Sequence, residues 1–328
     1  MTQSITDTAN TWQPQVALHA LATLETGNLA CIPVYAGATW PLLNTPKRFQ
    51  AWEFLHGKLP WEGAFAPENL TAEAQGSDPT SGNPNRISPS ALLEGMPNTT
   101  VAKSTNGANF MVEMVHKYPG QVSIYSAGAL TNVALAVRSD PEFASLAKEL
   151  VIMGGYVDVN MFQAVGTYNE ADVNSDINLM IDPEASKIAL TADFPEIVIA
   201  GNVANQVNPT QDFLDEVYDE VKNRYTQLFH DYYELTLPYW DETAAAIMVD
   251  PSIVVNKTHG ELSPFSPRWH SGSFFFFFFF FSISRCGHCI CKSKLWKYPR
   301  LSRSAQVPRR SQCDYCEPHR WREAQGYD

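Results

Sequence analysis

Apolar stretches alternate with amphipathic stretches along most of the chain, and this alternation predicts strands and helices in turn. Short apolar runs closed by glycine are typical of buried strands. They predict strands at 31–37, 121–128, 151–155 and 196–207. Helical periodicity predicts helices at 16–30, 106–120, 129–150 (with a break at Asp140-Pro141), 182–192 and 213–236. This order indicates an α/β fold, with a mainly parallel central sheet that carries helices on both faces.

The segment 40–96 interrupts this pattern, because it is rich in proline, glycine, asparagine and serine. It reads as a long excursion with little regular structure. Segments of this length inside a compact domain are often lids or binding elements. Since the segment follows the predicted strand 31–37, we expect it to form part of the rim of a ligand site at the strand ends.

Charge and cysteine content narrow the classes of function. The net charge of −12 argues against a nucleic-acid-binding protein as a whole. The chain starts without the basic and apolar regions of a signal peptide, and no stretch reaches transmembrane length. Cys31 is the one cysteine before residue 286, which is typical of a reducing compartment. The sequence therefore predicts a cytoplasmic protein that binds neither nucleic acid nor membranes.

The last part of the chain differs from the rest in charge, in cysteine content and in its pattern of apolar residues. Beyond about Thr258 the charge becomes basic, eight phenylalanines run from 274 to 281, and five cysteines follow. We interpret 259–328 as a disordered tail, or as the product of an unspliced intron or a shifted reading frame, next to a domain at 1–258. As an alternative, the spacing of Cys286 and Cys289 and of Cys313 and Cys316 fits a zinc ribbon, which would be an interaction module.

A stretch dense in asparagine and aspartate follows the predicted strand 151–155. It reads YNEADVNSDINLMIDPEAS and spans 168–186. Carboxylate and amide groups at this density suit a polyol such as a sugar, because each can bond to neighbouring hydroxyls. A polar surface loop that ends in an Asp-Pro helix cap explains the same composition.

Several collinear motifs together resemble the inosine–uridine preferring nucleoside hydrolase family, and its fungal branch most closely. They are ALATLETGNLACIPVYAGATWPL, SAGALTNVALAVRSDPEF, VIMGGYVDVN, NSDINLMIDPEASKIAL and WDETAAAIMVDPS, between about Asn10 and Thr258. The resemblance implies a Rossmann-like nucleoside hydrolase fold. It also implies hydrolysis of the N-glycosidic bond of ribonucleosides to ribose and free base, with calcium as the cofactor.

The resemblance assigns roles to individual residues. The residues that match sugar-binding positions are Asn10, Met153, Asn169, Asp176 and Asn178, with Asn174 competing for the place of Asn169. Thr131, through its backbone carbonyl, and Asp241, through its carboxylate, match calcium ligands. Trp240 matches the position that stacks on the leaving base in purine-preferring members, whereas other members have a histidine there. The resemblance leaves open which base is preferred. It also leaves open whether the protein forms a homo-oligomer.

One family feature has no counterpart in this sequence. The family begins with a strand that ends in an aspartate cluster, which supplies most calcium carboxylates and the general base. Only nine residues precede Asn10, and Asp7 is the one acidic residue among them. The first βα unit is therefore expected to be lacking, and calcium binding and turnover are expected to be weak. A catalytically inactive remnant of the family is the alternative reading.

Overall fold

The computed structural model describes residues 4–5, 13–56, 70–71, 85, 87–155, 176–260 and 274–276. Its strands are β1 (Ser4–Ile5), β2 (Val34–Tyr35), β3 (Ser123–Ser126), β4 (Glu149–Ile152), β5 (Ile197–Ile199), β6 (Thr258–Gly260) and β7 (Phe274–Phe276). Its first six helices are α1 (Gln13–Thr26), α2 (Pro46–His56), α3 (Gly107–Lys117), α4 (Thr131–Ser139), α5 (Phe143–Leu146) and α6 (Ile177–Met180). The others are α7 (Pro183–Leu190), α8 (Gly201–Ala204), α9 (Gln211–Glu220), α10 (Arg224–Tyr232) and α11 (Trp240–Val249).

The main sheet has the strand order β3-β4-β5-β7-β6. Neighbours from β3 to β7 run parallel, and β6 runs antiparallel to β7. Each parallel step between β3, β4 and β5 needs a crossover, which helices α4 and α5 and then α6 and α7 provide. A separate two-stranded sheet pairs β1 with β2 in parallel, and Tyr35 of β2 also bridges to Ala102.

The strands bury apolar side chains on both faces of the sheet. On one face Leu150 and Ile152 of β4 pack with Ile197, Ile199 and side chains of α3, α4, α5 and α7. On the other face Val151 and Val198 pack against α8 and α11. Alternate residues of one strand thus serve opposite layers, as the pleat requires. The predicted α/β fold, mainly parallel with helices on both faces, is confirmed.

Three predicted elements differ from the structure. The single helix expected at 213–236 is wrong, because α9 ends at Glu220 and α10 begins at Arg224. The side chain of Asn223 accepts from the backbone N–H of Thr226 (2.8 Å), and the Thr226 hydroxyl accepts from the backbone N–H of Asn223 (3.2 Å). This capping box starts a new helix inside a continuous amphipathic pattern.

The segment 40–96 contains a helix, so the expectation of little regular structure is wrong for Pro46–His56. Proline is favoured at the first helical position, and the hydroxyl of Thr45 accepts from the backbone N–H of Arg48 (3.3 Å). Phe49 is fully buried against Ala129 and Ile181, which fixes α2 to the body. Most of 57–86 lies outside the described residues.

The strand expected at 196–207 is shorter in the structure, where β5 ends at Ile199 and α8 begins at Gly201. The backbone N–H of Gly201 donates to Gly154 O (3.1 Å). The backbones are so close that a Cβ at Gly201 would lie 2.5 Å from Gly155 O. Glycine at 201 therefore permits the turn from strand to helix beside the end of β4.

Two short strands lie in the part of the chain where composition predicts a tail. Phe274, Phe275 and Phe276 pair in register with Ile197, Val198 and Ile199 of β5. The remainder of 261–328 lies outside the described residues, including both cysteine pairs. Among the residues that are described, no helix is long and apolar enough to cross a bilayer.

Candidate functional site

The carboxyl ends of β3, β4 and β5 meet at one edge of the sheet, which is where ligands bind in open α/β sheets. Three connections start from this edge, beginning at Ala127, Met153 and Ala200. Of the nine residues proposed for the site from sequence, six are described. Asn10, Asn169 and Asn174 lie outside the described residues.

Asp176 is a buried carboxylate just before α6, with 4% of its surface exposed. Its Oδ1 accepts from the backbone N–H of Leu179 (3.1 Å) and so caps the helix. Burial raises the pKa of Asp176 to about 6, although backbone hydrogen bonds from Leu179, Gly155 and Asn178 limit the rise. A Cβ at Gly154 (φ +145°) would lie 2.9 Å from this oxygen, so glycine there lets the carboxylate reach the end of β4.

Asn178 joins the ends of two strands. Its Nδ2 donates to the carbonyl of Ala127 after β3 (3.2 Å) and to the carbonyl of Met153 after β4 (3.1 Å). The same nitrogen lies 3.4 Å from the sulfur of Met153, which is itself buried. Both amide protons thus serve the protein, and within the described residues Oδ1 has no partner. The structure therefore brings Met153, Asp176 and Asn178 together at the strand ends.

Thr131 belongs to a second buried cluster, around Asp182. Its hydroxyl donates to Asp182 Oδ2 (2.7 Å), which also accepts from the backbone N–H of Leu42 (2.8 Å). Asp182 Oδ1 caps α7 through Ala185 N (3.1 Å). The side chain of Thr131 thus links α4 to Asp182, and the predicted role of Thr131 as a calcium ligand would depend on its backbone carbonyl alone. Sequence reasoning identified Asp182 as a helix cap and missed its links to Leu42 and Thr131.

Asp241 lies in the first turn of α11 and is tied to β3. The hydroxyl of Tyr125 donates to the backbone carbonyl of Asp241 (2.8 Å), across 116 residues of sequence. Partial burial, and then the neighbouring carboxylate of Glu242, raise the pKa of Asp241 to about 6. The side chains of Asp241 and Glu242 are both exposed to solvent in the same concave surface. None of the described residues that line this surface is a lysine or an arginine that could neutralise the two carboxylates.

Trp240 lies between that surface and the core. Its side chain packs against the buried cluster that includes Val151 and Val198, and its Nε1–H donates to Asn205 Oδ1 (2.8 Å). A cleft of about 240 Å³ opens beside it. The cleft is lined by Tyr232, Tyr233, Glu234, Leu237, Pro238, Trp240, Asp241 and Glu242. An aromatic face next to acidic groups suits a flat, polar ligand.

Comparison with known proteins decides the family. A family model described as inosine-uridine preferring nucleoside hydrolase matches residues 4–294. The chain belongs to this family. The match begins before Asn10 and continues past Thr258 through the phenylalanine run.

Curated relatives of this nucleoside hydrolase family member include proteins of fungi and plants. It is 37% identical over 245 residues to an uncharacterized protein of Schizosaccharomyces pombe, covering 70% of this chain and 58% of that protein. It is 33% identical over 208 residues to the probable uridine nucleosidase 2 of Arabidopsis thaliana, covering 63% and 53%. The chain thus spans little more than half the length of these relatives.

Solved nucleoside hydrolases share the fold. A purine-preferring ribonucleoside hydrolase from Gardnerella vaginalis superposes with a TM-score of 0.53 at 17% identity, covering 79% of this chain and 74% of that one. A plant nucleoside hydrolase gives 0.51 at 22% identity, covering 84% and 78%. At these identities the likeness concerns the fold, and it confirms the predicted nucleoside hydrolase architecture.

The described residues that the sequence predicts as calcium ligands would make only part of a metal site. Asp241 has suitable donor chemistry, because its carboxylate has a raised pKa and meets no positive side chain among the described residues that line the cleft. Calcium takes about six to eight oxygen ligands, however. The residues predicted from sequence supply one carboxylate and one backbone carbonyl among the described residues, and these do not complete a site.

Another group of potential metal ligands lies away from this edge. His116, Asp140 and Glu142 each offer an atom within 4.8 Å of the others. They lie at the end of α3 and just after α4, the side where the strands begin. His116 Nε2 pairs with Asp140 Oδ2 (2.5 Å), so these two groups satisfy each other without an ion.

Proposed function

We propose that the protein hydrolyses the N-glycosidic bond of ribonucleosides and releases ribose and the free base. The observation that carries the proposal is the pair formed by Asp176, which is buried, and Asn178, which is half-buried. This pair meets the ends of β3 and β4 at the ligand-binding edge of the sheet. Family membership supports the class of reaction.

The sugar would be held by oxygen atoms of Asp176 and Asn178, which accept hydrogen bonds from ribose hydroxyls. Asn10 and Asn169, or Asn174 in place of the latter, are proposed as further sugar contacts. Met153 would lie against the ribose. As the bond to the base breaks, positive charge develops on the sugar, and an ionised Asp176 would stabilise that charge more than the neutral ground state.

The base would stack on Trp240 in the cleft beside Asp241. Stacking orients a base by its π face and tolerates different patterns of donors and acceptors at its edge. This supports a purine-preferring activity, in which the larger ring system offers more contact area. Purine nucleoside catabolism is therefore the proposed context.

Calcium is the proposed cofactor, with Asp241 and the carbonyl of Thr131 among its ligands. When bound, calcium would supply charge stabilisation and an activated water. Since the described residues do not complete its site, we expect weak calcium affinity and slow turnover by this chain.

The test is release of ribose from inosine and from uridine by the purified full chain, with calcium and with a chelator. We expect slow, calcium-dependent release that Asp176→Asn lowers about a hundredfold. Asp219→Asn is the matched control, because Asp219 is exposed in α9 and pairs with Lys222. Release that is insensitive to both the chelator and Asp176→Asn would refute the proposed site.

The incomplete set of calcium ligands among the described residues favours one alternative, a family member that no longer catalyses. Such a protein would bind a nucleoside or ribose without releasing products. Calorimetric titration with inosine, run beside the assay, separates the two: binding without ribose release supports the inactive form.

We also propose that the protein acts in the cytoplasm on small-molecule nucleosides, without a nucleic-acid or membrane partner. The single cysteine of the first 285 residues supports this location. A zinc ribbon formed by the cysteine pairs 286/289 and 313/316 stays a prediction, and so does the formation of a homo-oligomer. Metal analysis and light scattering of the purified chain test them.

A further inference from the structure

The side-chain amide of Asn205 makes a hydrogen bond through its oxygen and, among the described residues, none through its nitrogen. Asn205 follows α8 at the carboxyl end of β5, with 7% of its surface exposed. Its Oδ1 accepts from the indole Nε1–H of Trp240 (2.8 Å). Its Nδ2 is buried and has no hydrogen-bond partner among the described residues. A buried amide donor left unpaired lowers stability, so its retention needs an explanation.

The orientation of this amide follows from the indole. If oxygen and nitrogen were exchanged, Nδ2 would face the Nε1–H of Trp240, and two donors would oppose each other. The oxygen must therefore point to the ring, and the nitrogen then points where the described residues offer no acceptor. The unpaired donor is the consequence of fixing the indole.

The backbone beside Trp240 is held independently of Asn205. The N–H of Tyr239 donates to the carbonyl of Val207 (2.7 Å), and the carbonyl of Asp241 accepts from the hydroxyl of Tyr125 (2.8 Å). These bonds fix the chain on each side of Trp240 and leave rotation of its side chain to packing. Among the described residues, Asn205 makes the hydrogen bond that sets the plane of the ring.

We propose that Asn205 is a positioning residue that holds Trp240 in the plane needed to stack on a nucleobase, and that it thereby favours purine nucleosides. The inference rests on the proposed function. Because Nε1–H is donated to Asn205, Trp240 has no hydrogen-bond donor left for the base. Recognition at this position therefore uses the ring face, and affinity grows with the area of the base rather than with its edge pattern.

Asn205→Leu in the full chain tests this, since leucine has a similar volume and no acceptor. Loss of the hydrogen bond to the Trp240 indole should destabilise the protein, and loss of the buried, unpaired Nδ2 should stabilise it. Because the two effects oppose each other, the melting temperature should change little. The indole ¹H–¹⁵N resonance of Trp240, assigned by its loss in Trp240→Phe, should move upfield and exchange faster with water. Asn205→Asp, which retains an acceptor, should keep the resonance near its original position.

Ligand binding provides the second measurement, with inosine and uridine as probes. Asn205→Leu should weaken inosine binding about fivefold and uridine binding less, because the purine stacks over more area. In the Trp240→Phe background the same substitution should have no further effect. Gln15→Met is the matched control, since Gln15 is another buried amide, bonded to Ser88 away from the cleft.

The outcomes separate the inference from the proposed function. If the native chain binds neither nucleoside, the proposed function fails and the role in base selection fails with it. If the native chain binds inosine and Asn205→Leu binds it equally well, the inference alone is overturned. An unchanged Trp240 resonance in Asn205→Leu overturns it as well.

Discussion

Asp176 and Asp182 show how differently two buried aspartates of one segment behave. Asp182 is fully buried, and its two oxygens accept from a hydroxyl and two backbone N–H groups. Asp176 is nearly as buried, and its pKa rises to about 6 because its hydrogen bonds do not offset desolvation. The carboxylate of Asp182 therefore stabilises the fold, whereas the ionised carboxylate of Asp176 lowers its stability.

Neutralising Asp176 should therefore flatten the dependence of stability on pH. Its folded pKa lies above the ordinary value of 3.8. Its contribution is thus fully present below the ordinary value and is lost as pH rises through about 6. Asp176→Asn keeps a capping side chain and should stabilise the protein at pH 7.5 by up to about 3 kcal/mol. Urea unfolding at pH 4.5 and 7.5 measures this, and equal losses at both values would contradict it.

Asp182→Asn should do the opposite. An amide turns one oxygen into a donor, which then faces either the hydroxyl of Thr131 and the N–H of Leu42 or the N–H of Ala185. We expect a loss of about 2 to 4 kcal/mol at both pH values in the same urea experiment. A loss below about 1 kcal/mol would show that the three donors find other acceptors.

Sequence reasoning identified some of these residues and missed others for a physical reason. Asp176, Asn178 and Met153 lie in contiguous motifs, and the structure brings them together. Asn205 was missed because its partner Trp240 lies 35 residues away and an asparagine after a strand is common. A single side-chain hydrogen bond between distant segments leaves no periodic pattern in a sequence.

At the scale of elements, one histidine of α10, His230, bonds to α9. His230 Nδ1 lies 2.7 Å from Asp231 Oδ1, and its Nε2 lies 3.0 Å from Asp215 Oδ1 on α9. The ring also lies over Tyr218, with centroids 5.2 Å apart. A protonated imidazole donates to both carboxylates, whereas a neutral one donates to only one of them.

Raising the pH should loosen this pair of helices. Hydrogen bonds with Asp231 and Asp215 raise the pKa of His230 above its ordinary value of 6.5. The stabilisation is complete below the ordinary value and is lost as pH rises through the raised one. Deuterium exchange at 211–232, corrected for intrinsic rates, should be faster at pH 8.5 than at pH 6.

His230→Gln should remove that difference and leave fast exchange at both pH values. His116→Gln is the control, since it breaks a histidine–aspartate contact between α3 and α4. An unchanged pH response in His230→Gln would assign the effect to another group.

Helix boundaries at this scale depend on local caps that compete with periodicity. The amphipathic pattern of 213–236 continues through Asn223, yet the capping box there begins a second helix. Helix α2 was missed for the opposite reason. Its amphipathic pattern is weak, and the buried side chain of Phe49 attaches it to the rest of the domain.

At the scale of the whole molecule, the sheet extends beyond the predicted domain. The alternation of strands and helices predicted the parallel core of β3, β4 and β5. It gave no indication that Phe274–Phe276 would pair with β5, because an all-phenylalanine run has no polar face to mark its orientation. The boundary near Thr258 stays a prediction.

A proline substitution at the centre of β7 tests whether this segment is part of the folded body or belongs to a tail outside it. Phe275→Pro removes a backbone N–H from the strand that pairs with Val198 of β5. If β7 is part of the folded body, the melting temperature should fall by about 5 to 10 °C. An unchanged melting temperature would instead support a folded domain that ends near Thr258.

The order of strands in the main sheet has a consequence for how the chain folds. β3 and β4 are neighbours in space and in sequence, and the side chains of Ser123 and Glu149, which bond across them, are 26 residues apart. Closing so short a loop costs little chain entropy, whereas strands from distant segments must wait for larger closures. We therefore expect the unit from β3 through α4 and α5 to β4 to form first. A polypeptide emerging from the ribosome would complete this unit well before Phe274–Phe276 is synthesised to meet β5.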